Sequence, residues 1–306
     1  MNVPARASGR VGKWLVSGPP LAYLLVFFAI PTLIMVLASF RTPGEFGGLA
    51  PLVDEAGAID LNVDAYARFL TEPVYALVFL KSVWYALLTT VLCLAFAYPL
   101  SALIAKSPKK YRNLLLLLVI LPFWSNFLIR IYAWMIILGP QAALARSVNG
   151  LLAAFGMEPV SLLFSSFAVL ACLVYVHLPF MVLPLYANLE KHDQALLDAA
   201  QDLGADAWQR FWRITFPLSL PGVYAGAALV FIPALGIFAI PDILGGPDDS
   251  LIGNVIKQQF LETRDWPFGS VLSIVLTAAA LLLAGLAAWV GRRNLGTPSS
   301  AGEADA

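Results

Sequence analysis

The residues of this chain whose types could do chemistry are its carboxylates, one arginine and one histidine inside apolar runs, and a few aromatics; their spacing decides which chemistry. Catalysis within a membrane needs groups that face one another at depth, such as a Ser/Lys or His/Asp pair or two aspartates. The acids lie between the long apolar runs, not within them, so no catalytic residue is assigned and the chain is not expected to be an enzyme. ATP binding by the usual route is not expected: the nearest match to a nucleotide loop is "GRVGKW" (Gly9 to Trp14). It lacks the four-residue gap between glycines and the hydroxyl after Lys13 that a P-loop requires. Cys93 and Cys172 both fall in apolar runs, where they read as small packing groups, and no metal-ligand spacing is present.

The remaining groups suit binding. Asp242, and Glu262 and Asp265 beside Trp266, offer carboxylates and an aromatic face, the combination that holds ammonium groups; each also reads as a solvated loop charge or a local cap. Arg130 shares an i, i+4, i+8 stripe with Asn126 and Trp134. A cation at that depth is costly, so a salt bridge or carbonyl anchor is expected in preference to contact with a cationic solute, which Arg130 would repel. His177, two residues before Pro179, reads as a hydrogen-bonded ring packed at a kink. Trp124 reads either as a gate or pore-lining ring or as an aromatic packed in the bundle.

The elements that must position these groups are membrane helices. Of 306 residues, 60% are hydrophobic and 12% charged, which is too little charge for a soluble surface of this size. Zero formal net charge argues against a nucleic-acid partner. Apolar runs of roughly 20 residues, the length that crosses about 30 Å of hydrocarbon, are predicted near residues 15–40, 75–105, 113–138, 161–189, 218–241 and 268–291. The fold class is therefore an all-α polytopic membrane protein with six transmembrane helices, in contact with membrane lipid. Residues 1–14 precede the 15–291 transmembrane domain, and 292–306 read as a disordered tail. Bases cluster at one set of segments: Arg6, Arg10, Lys13; Lys106, Lys109, Lys110, Arg112; Lys191, Arg210, Arg213; Arg292, Arg293. That side is expected to be cytoplasmic, with both termini inside. Acids gather on the other side, where they would favour cations. The stretch from Arg41 to about Val74 is expected to be a partly ordered outer loop with short helices, and Gln141 to Phe155 a re-entrant or interfacial piece.

One charged stretch interrupts the apolar chain: "LLDAAQDLGADAWQRFWRITFPLSLPG", Leu196 to Gly222. Asp193 can cap a helix starting at Gln194, and Gly204 can end it. Asp206 and Gln209 make a capping box for a second helix, with Trp208, Phe211, Trp212 and Ile214 as an apolar flank that can pack beneath the bundle and Pro217 as a stop before the fifth span. On pattern alone this is either an amphipathic surface loop or a docking element for a cytoplasmic partner.

Its spacing, Asp198-Ala199-Ala200, three residues, Gly204 with Ala205 after it, and then Ile214-Thr215-Phe216-Pro217, resembles the E-A-A-x3-G-x9-I-x-L-P loop of ATP-binding-cassette importer membrane subunits. Asp198 stands where that family usually has Glu, and Phe216 where it has Leu. The resemblance implies the type I importer permease fold, with loop 190–217 as the coupling helix. Asp198, Ala199, Ala200, Gly204, Ala205, Ile214 and Pro217 would be the coupling residues, seated on a separate ATPase. It also implies partners: two ATP-binding subunits that carry the ATP and Mg, a second similar six-helix permease, and an extracytoplasmic solute-binding protein, all at a bacterial inner membrane. No cofactor is expected in this chain itself. Three further stretches, "LPFWSNFLIRIYAW", "VYVHLPFMVLPLYANLEK" and "FIPALGIFAIPDILGGPDDSLIGNVIKQQFLETRDWPFGS", resemble the first membrane subunit of spermidine/putrescine importers. The implied cargo is a polyamine, with another small organic solute, opine-like or an amine or amino-acid derivative, as the alternative. Trp124, Asn126, Asp242, Glu262 and Asp265 are the candidate substrate-pathway residues.

Overall fold

Long apolar runs free of acids have one way to satisfy their backbone in lipid, which is to hydrogen-bond it internally along a helix. The computed structural model describes residues 10–53 and 61–294, with side chains over 16–53 and 61–286. Among the described residues, six helical segments are long and apolar enough to cross a membrane: Val16–Ala38, Pro73–Lys106, Phe127–Ala154, Ser166–Leu189, Ala207–Gly236 and Trp266–Leu286. Most of the expected tail lies outside the described residues, but the last helix continues to Asn294, past the boundary set at 291.

In chain order, α1 (Arg10–Leu24) runs through a wide π turn into α2 (Ile30–Ala38); α3 (Asp64–Thr71) is short; α4 (Pro73–Lys106) is the longest helix. Next come α5 (Lys109–Ile120), α6 (Phe127–Leu138), α7 (Ala143–Ala154) and α8 (Ser166–Leu189). Two short helices follow, α9 (Gln194–Asp202) and α10 (Ala207–Arg210), then α11 (Phe216–Gly236), α12 (Ala239–Leu244), α13 (Ile252–Leu261) and α14 (Trp266–Asn294).

The chain divides into two compact units, Met1–Pro73 with Ile256–Val275, and Val74–Val255 with Leu276–Ala306. In the first, described residues of the stretch after α2 make polar contacts. Asn62 N–H donates to the Phe40 carbonyl, Gly48 N–H to that of Arg264, and the Arg41 guanidinium to that of Ala50. Arg68 reaches both Glu72 and Asp265, with its guanidinium over the Phe268 ring.

The second unit is organised around α8. Apolar side chains gain little by leaving lipid for a protein interior, so helix cohesion depends on close packing and interhelical hydrogen bonds. Gly222 and Gly226 supply the first: a Cβ on Gly226 would come within 2.6 Å of Met181 Sδ and 3.3 Å of its Cα, so α11 lies backbone-close against α8. Ser101 Oγ to the Val182 carbonyl, 3.1 Å, and Tyr98 with Ser219, 2.9 Å, supply the second.

The stretch expected as one span at 113–138 is broken. After α5 the chain makes a 3-10 turn over Leu121–Trp124, becomes extended at Ser125, and restarts as α6 with the Asn126 side chain accepting from Leu128 N–H. Pro122 has no N–H to continue α5, and the Asn126 cap makes a new start favourable. Leu115, Leu116 and Val119 pack with Met181 to Leu185, whereas Ile131 and Leu138 pack with Ala168 to Leu173. The two pieces therefore run antiparallel to α8, along its second and then its first half. The fifth span also differs from expectation. Pro217 does not stop the helix: α10 passes through a π turn (Phe211–Thr215) directly into α11, where Pro217 occupies a first-turn position at which no N–H is needed. The helix instead ends at Gly236, and Asp242, expected at its outer end, belongs to the separate α12.

Candidate functional site

Beyond α8 the chain forms a sharp bend whose geometry is set by local hydrogen bonds. Asp193 accepts from Ala195 N–H at 2.9 Å and starts α9. Gly204 follows with φ +81°, a left-handed conformation that L side chains rarely adopt. Asp206 accepts from Gln209 N–H at 2.7 Å while the Gln209 side chain accepts from Asp206 N–H, completing the capping box that opens α10. Arg210 donates to Gln201 across the bend at 2.7 Å and fixes the angle between the two helices. Asp198, Ala199 and Ala200 lie on α9, Gly204 and Ala205 at the bend, Ile214 in the π turn and Pro217 at the start of α11.

The apolar flank attaches this bend to the bundle. Phe211 meets Tyr98 of α4 edge-on at 5.4 Å, and Phe216 lies 6.1 Å from the same ring. Trp208 and Trp212 pack on one another at 5.6 Å but stay largely exposed, Trp208 to 69%, so only part of the expected flank is buried. α10, the π turn and α11 form one helical segment of 30 residues, about 45 Å long at 1.5 Å per residue. Between α4, the end of α8 and the bend lies a groove of about 1040 Å³, lined among others by Tyr98, Lys106, Glu190, Arg210 and Phe216. At its edge Arg112 ties three elements together. It pairs with Glu190 after α8 at 2.5 Å and donates to the Ala105 carbonyl at the end of α4 at 2.8 Å. A hydrogen bond from Tyr186, helped by Arg112, holds the Glu190 carboxyl below the usual carboxylate range.

The candidate pathway residues are spread over both units. Trp124 projects from the break between α5 and α6, 76% exposed, and so is not an aromatic buried in the bundle of this chain. Asn126 is the α6 cap. Asp242 lines a pocket of about 490 Å³ with Phe164, Gly245, Gly246 and Asn254, whose Nδ2 donates to it at 3.2 Å. Glu262 and Asp265 belong to the other unit. There Asp265 accepts from Arg68 at 3.1 Å and from Phe268 N–H at 3.1 Å, as a paired helix cap. Among the described residues no group of three or more His, Cys, Asp or Glu could hold a metal ion.

Residues 97–295 match the family model of the binding-protein-dependent transport system inner membrane component. The chain belongs to this family. It is 45% identical over 259 residues to the spermidine/putrescine transport system permease protein PotB of Salmonella typhimurium, covering 83% of this chain and 85% of the relative. It is 44% identical to PotB of Escherichia coli over 83% of this chain and 89% of that one. Two solved structures share the fold: a bacterial ABC transporter involved in the import of the acidic polysaccharide alginate (TM-score 0.66, 20% identity, 92% of this chain and 96% of that one), and the bacterial alginate ABC transporter in complex with alginate pentasaccharide-bound periplasmic protein (TM-score 0.69, 19% identity, 95% and 99%). The chain is thus an inner-membrane permease subunit of an ATP-binding-cassette importer.

Three features of the permease escape a reading of its sequence. The Tyr98–Ser219 anchor had a faint signal, two hydroxyls within apolar runs; the Gly222-x3-Gly226 spacing had a plain one. The third is Asp249, only 5% exposed, which reads from sequence as one more outer acid. Its carboxylate accepts from Ser166 (2.5 Å), Gly246 N–H (2.9 Å) and Tyr85 (3.1 Å), while Lys81 donates to the neighbouring Asp248 carbonyl. Burial alone would raise its pKa; the three hydrogen bonds and the Lys81 charge outweigh burial and hold it below the usual carboxylate range. His177 is as expected, buried with Nδ1 at 2.8 Å from the Leu173 carbonyl. Arg130 is not: in place of a salt bridge or carbonyl anchor, its guanidinium lies over the rings of Phe123 (5.1 Å) and Phe127 (5.7 Å).

Proposed function

We propose that this permease carries polyamines and is driven by two partner ATPase subunits that bind the ATP and Mg, with the α9–α10 bend as the seat of one of them. The observation that carries this reading is the bend itself: both helices are capped by their own side chains, Gly204 holds the turn, and α10 continues without interruption into the fifth span. Closure of a foreign ATPase against α9 would tilt α11, and with it α8, whose backbone α11 touches at Gly226. That is the rigid-body rocking that exchanges outward and inward access. The distribution of basic segments supports a cytoplasmic position for the bend and both termini. A second six-helix permease and an extracytoplasmic binding protein complete the importer, and no cofactor resides in this chain.

The cargo follows from the PotB relatives and is consistent with the site chemistry. Trp124 offers an aromatic face and Asp242 a carboxylate, groups suited to ammonium ions, with Asn126 at the break and Glu262 and Asp265 as further outer acids. The experiment is uptake of labelled spermidine by the complete importer in proteoliposomes, with Ala200→Cys as the site for cross-linking to the ATPase. We expect ATP-dependent spermidine uptake, competition by putrescine, and a cross-link to the ATPase. Uptake of a neutral or anionic solute in place of spermidine would reassign the cargo; a cysteine that never captures the ATPase would remove the docking assignment.

A further inference from the structure

Arg130 is 9% exposed, its Nε is buried without a hydrogen-bond partner, and neither Nη donates to any described residue. Two phenylalanine faces offset part of the cost of the charge, but no anion among the described residues faces it. Its own chain cannot supply one at that depth, because none of its acids lies in any of the six crossing segments. Lipid phosphate is out of reach as well. Arg130 is eight residues from the end of α6 at Leu138, about 12 Å along the axis, and its guanidinium lies over Phe123 and Phe127, directed away from that end. The small opening through which the charge reaches the surface therefore cannot face hydrocarbon, where an unpaired cation is untenable. Nor can it stay bare beside a path for polycations, which it would repel.

We infer that Arg130 is the chain's half of an intersubunit ion pair, its counter-ion being an Asp or Glu carboxylate at mid-membrane depth on the second permease subunit. This inference rests on the polyamine-importer reading above. The pair would neutralise the one cation in the stretch 113–138. Phe123 and Phe127 already hold the guanidinium against its own chain, so what the pair adds is the register of the two membrane subunits.

The test uses the whole importer in mild detergent and in proteoliposomes. Arg130→Gln leaves a partner carboxylate orphaned and should lower co-purification of the two membrane subunits about 30-fold or more, the loss typical of truncating one member of a buried charge pair. Arg130→Lys should keep most of the assembly. Neutralising the spans' acids of the second subunit one at a time, to Asn or Gln, should find one that weakens assembly with Arg130 intact and restores it when combined with Arg130→Gln. Assembly of Arg130→Gln at the wild-type level, with or without loss of uptake, would overturn the pair, as would failure of every partner acid to restore it. Wild-type subunits in the same preparation separate the two readings: if they neither co-purify nor take up spermidine, it is the importer assignment that fails.

Discussion

At its first turn α8 meets the Asp249 carboxylate, which accepts three hydrogen bonds and is almost fully buried; past its last turn the chain makes the Gly204 bend, where an added Cβ would meet nothing within 4 Å. α8, which runs between them, is about 36 Å long at 1.5 Å per residue. Both are held by carboxylates accepting N–H or O–H bonds, but the donors differ in origin. Asp249 draws on α4, α8 and its own loop, so it joins elements; Asp193 and Asp206 draw on the residues just after them, so they shape the chain and leave its outer surface open. A saturated carboxylate holds a structure together, and a self-contained bend with an empty flank is built to be met by something else.

Breaking each place should therefore give a different readout. The largest effect is expected from Asp249→Ala, which orphans the buried Tyr85 hydroxyl and the part-buried Ser166 and Gly246 donors, at up to about 1–3 kcal/mol each before relaxation. A loss of roughly 3 kcal/mol should appear in denaturant or thermal unfolding of the detergent-solubilised permease. An unfolding midpoint equal to wild type would show that the three bonds contribute no net stability. Gly204→Val should do the reverse. With space around it, its cost comes from the positive φ alone, about 1–2 kcal/mol, enough to shift the population of the docked bend by roughly 5–30-fold. Coupled ATPase activity and spermidine uptake should fall by that order while membrane insertion is unchanged. Smaller still is Asp206→Ala, where loss of the cap costs typically about 1 kcal/mol. It should reduce uptake several-fold, and Asp206→Ser should recover most of it; an alanine variant with full uptake would mean that the Gly204 turn suffices without the box.

The same contrast explains what could be read in the sequence. Capping is chemistry between residues two or three apart, so Asp193, Gly204 and the Asp206/Gln209 box were legible, and the structure forms each as expected. Asp249 finds Tyr85 and Ser166 across 164 and 83 positions, and no local pattern encodes such a meeting. Six crossings were legible because apolar length is a property of the run; the break at Leu121–Asn126 was not expected, because its local signals, Pro122 and the Asn126 cap, sit inside a stretch read only for its apolar length. Pro217 misled for a related reason. The rule that proline ends a helix assumes a regular ladder, and the π turn before it had already changed that ladder.

Acid provides the mildest way to separate the two places, and its sign follows from the direction of the shift. The Asp249 carboxyl titrates below its ordinary range because Ser166, Gly246 N–H, Tyr85 and the Lys81 charge favour the ionised form against burial. A depressed folded-state pKa means that the stabilisation is fully present above the unfolded value, about 3.9 for Asp, and is lost as pH falls through the folded value. The difference in unfolding midpoint between wild type and Asp249→Asn should thus be flat above about pH 5, where the carboxylate is ionised in both states, and should shrink only as the solution becomes more acidic than that unfolded value. Since Asp249→Asn keeps the shape and removes the titration, other acids cancel in the difference. A wild-type advantage that instead widened on acidification from neutral pH to about pH 5 would place the carboxyl above its ordinary range, and the hydrogen bonds at the first turn of α8 would then be weaker than the burial that opposes them.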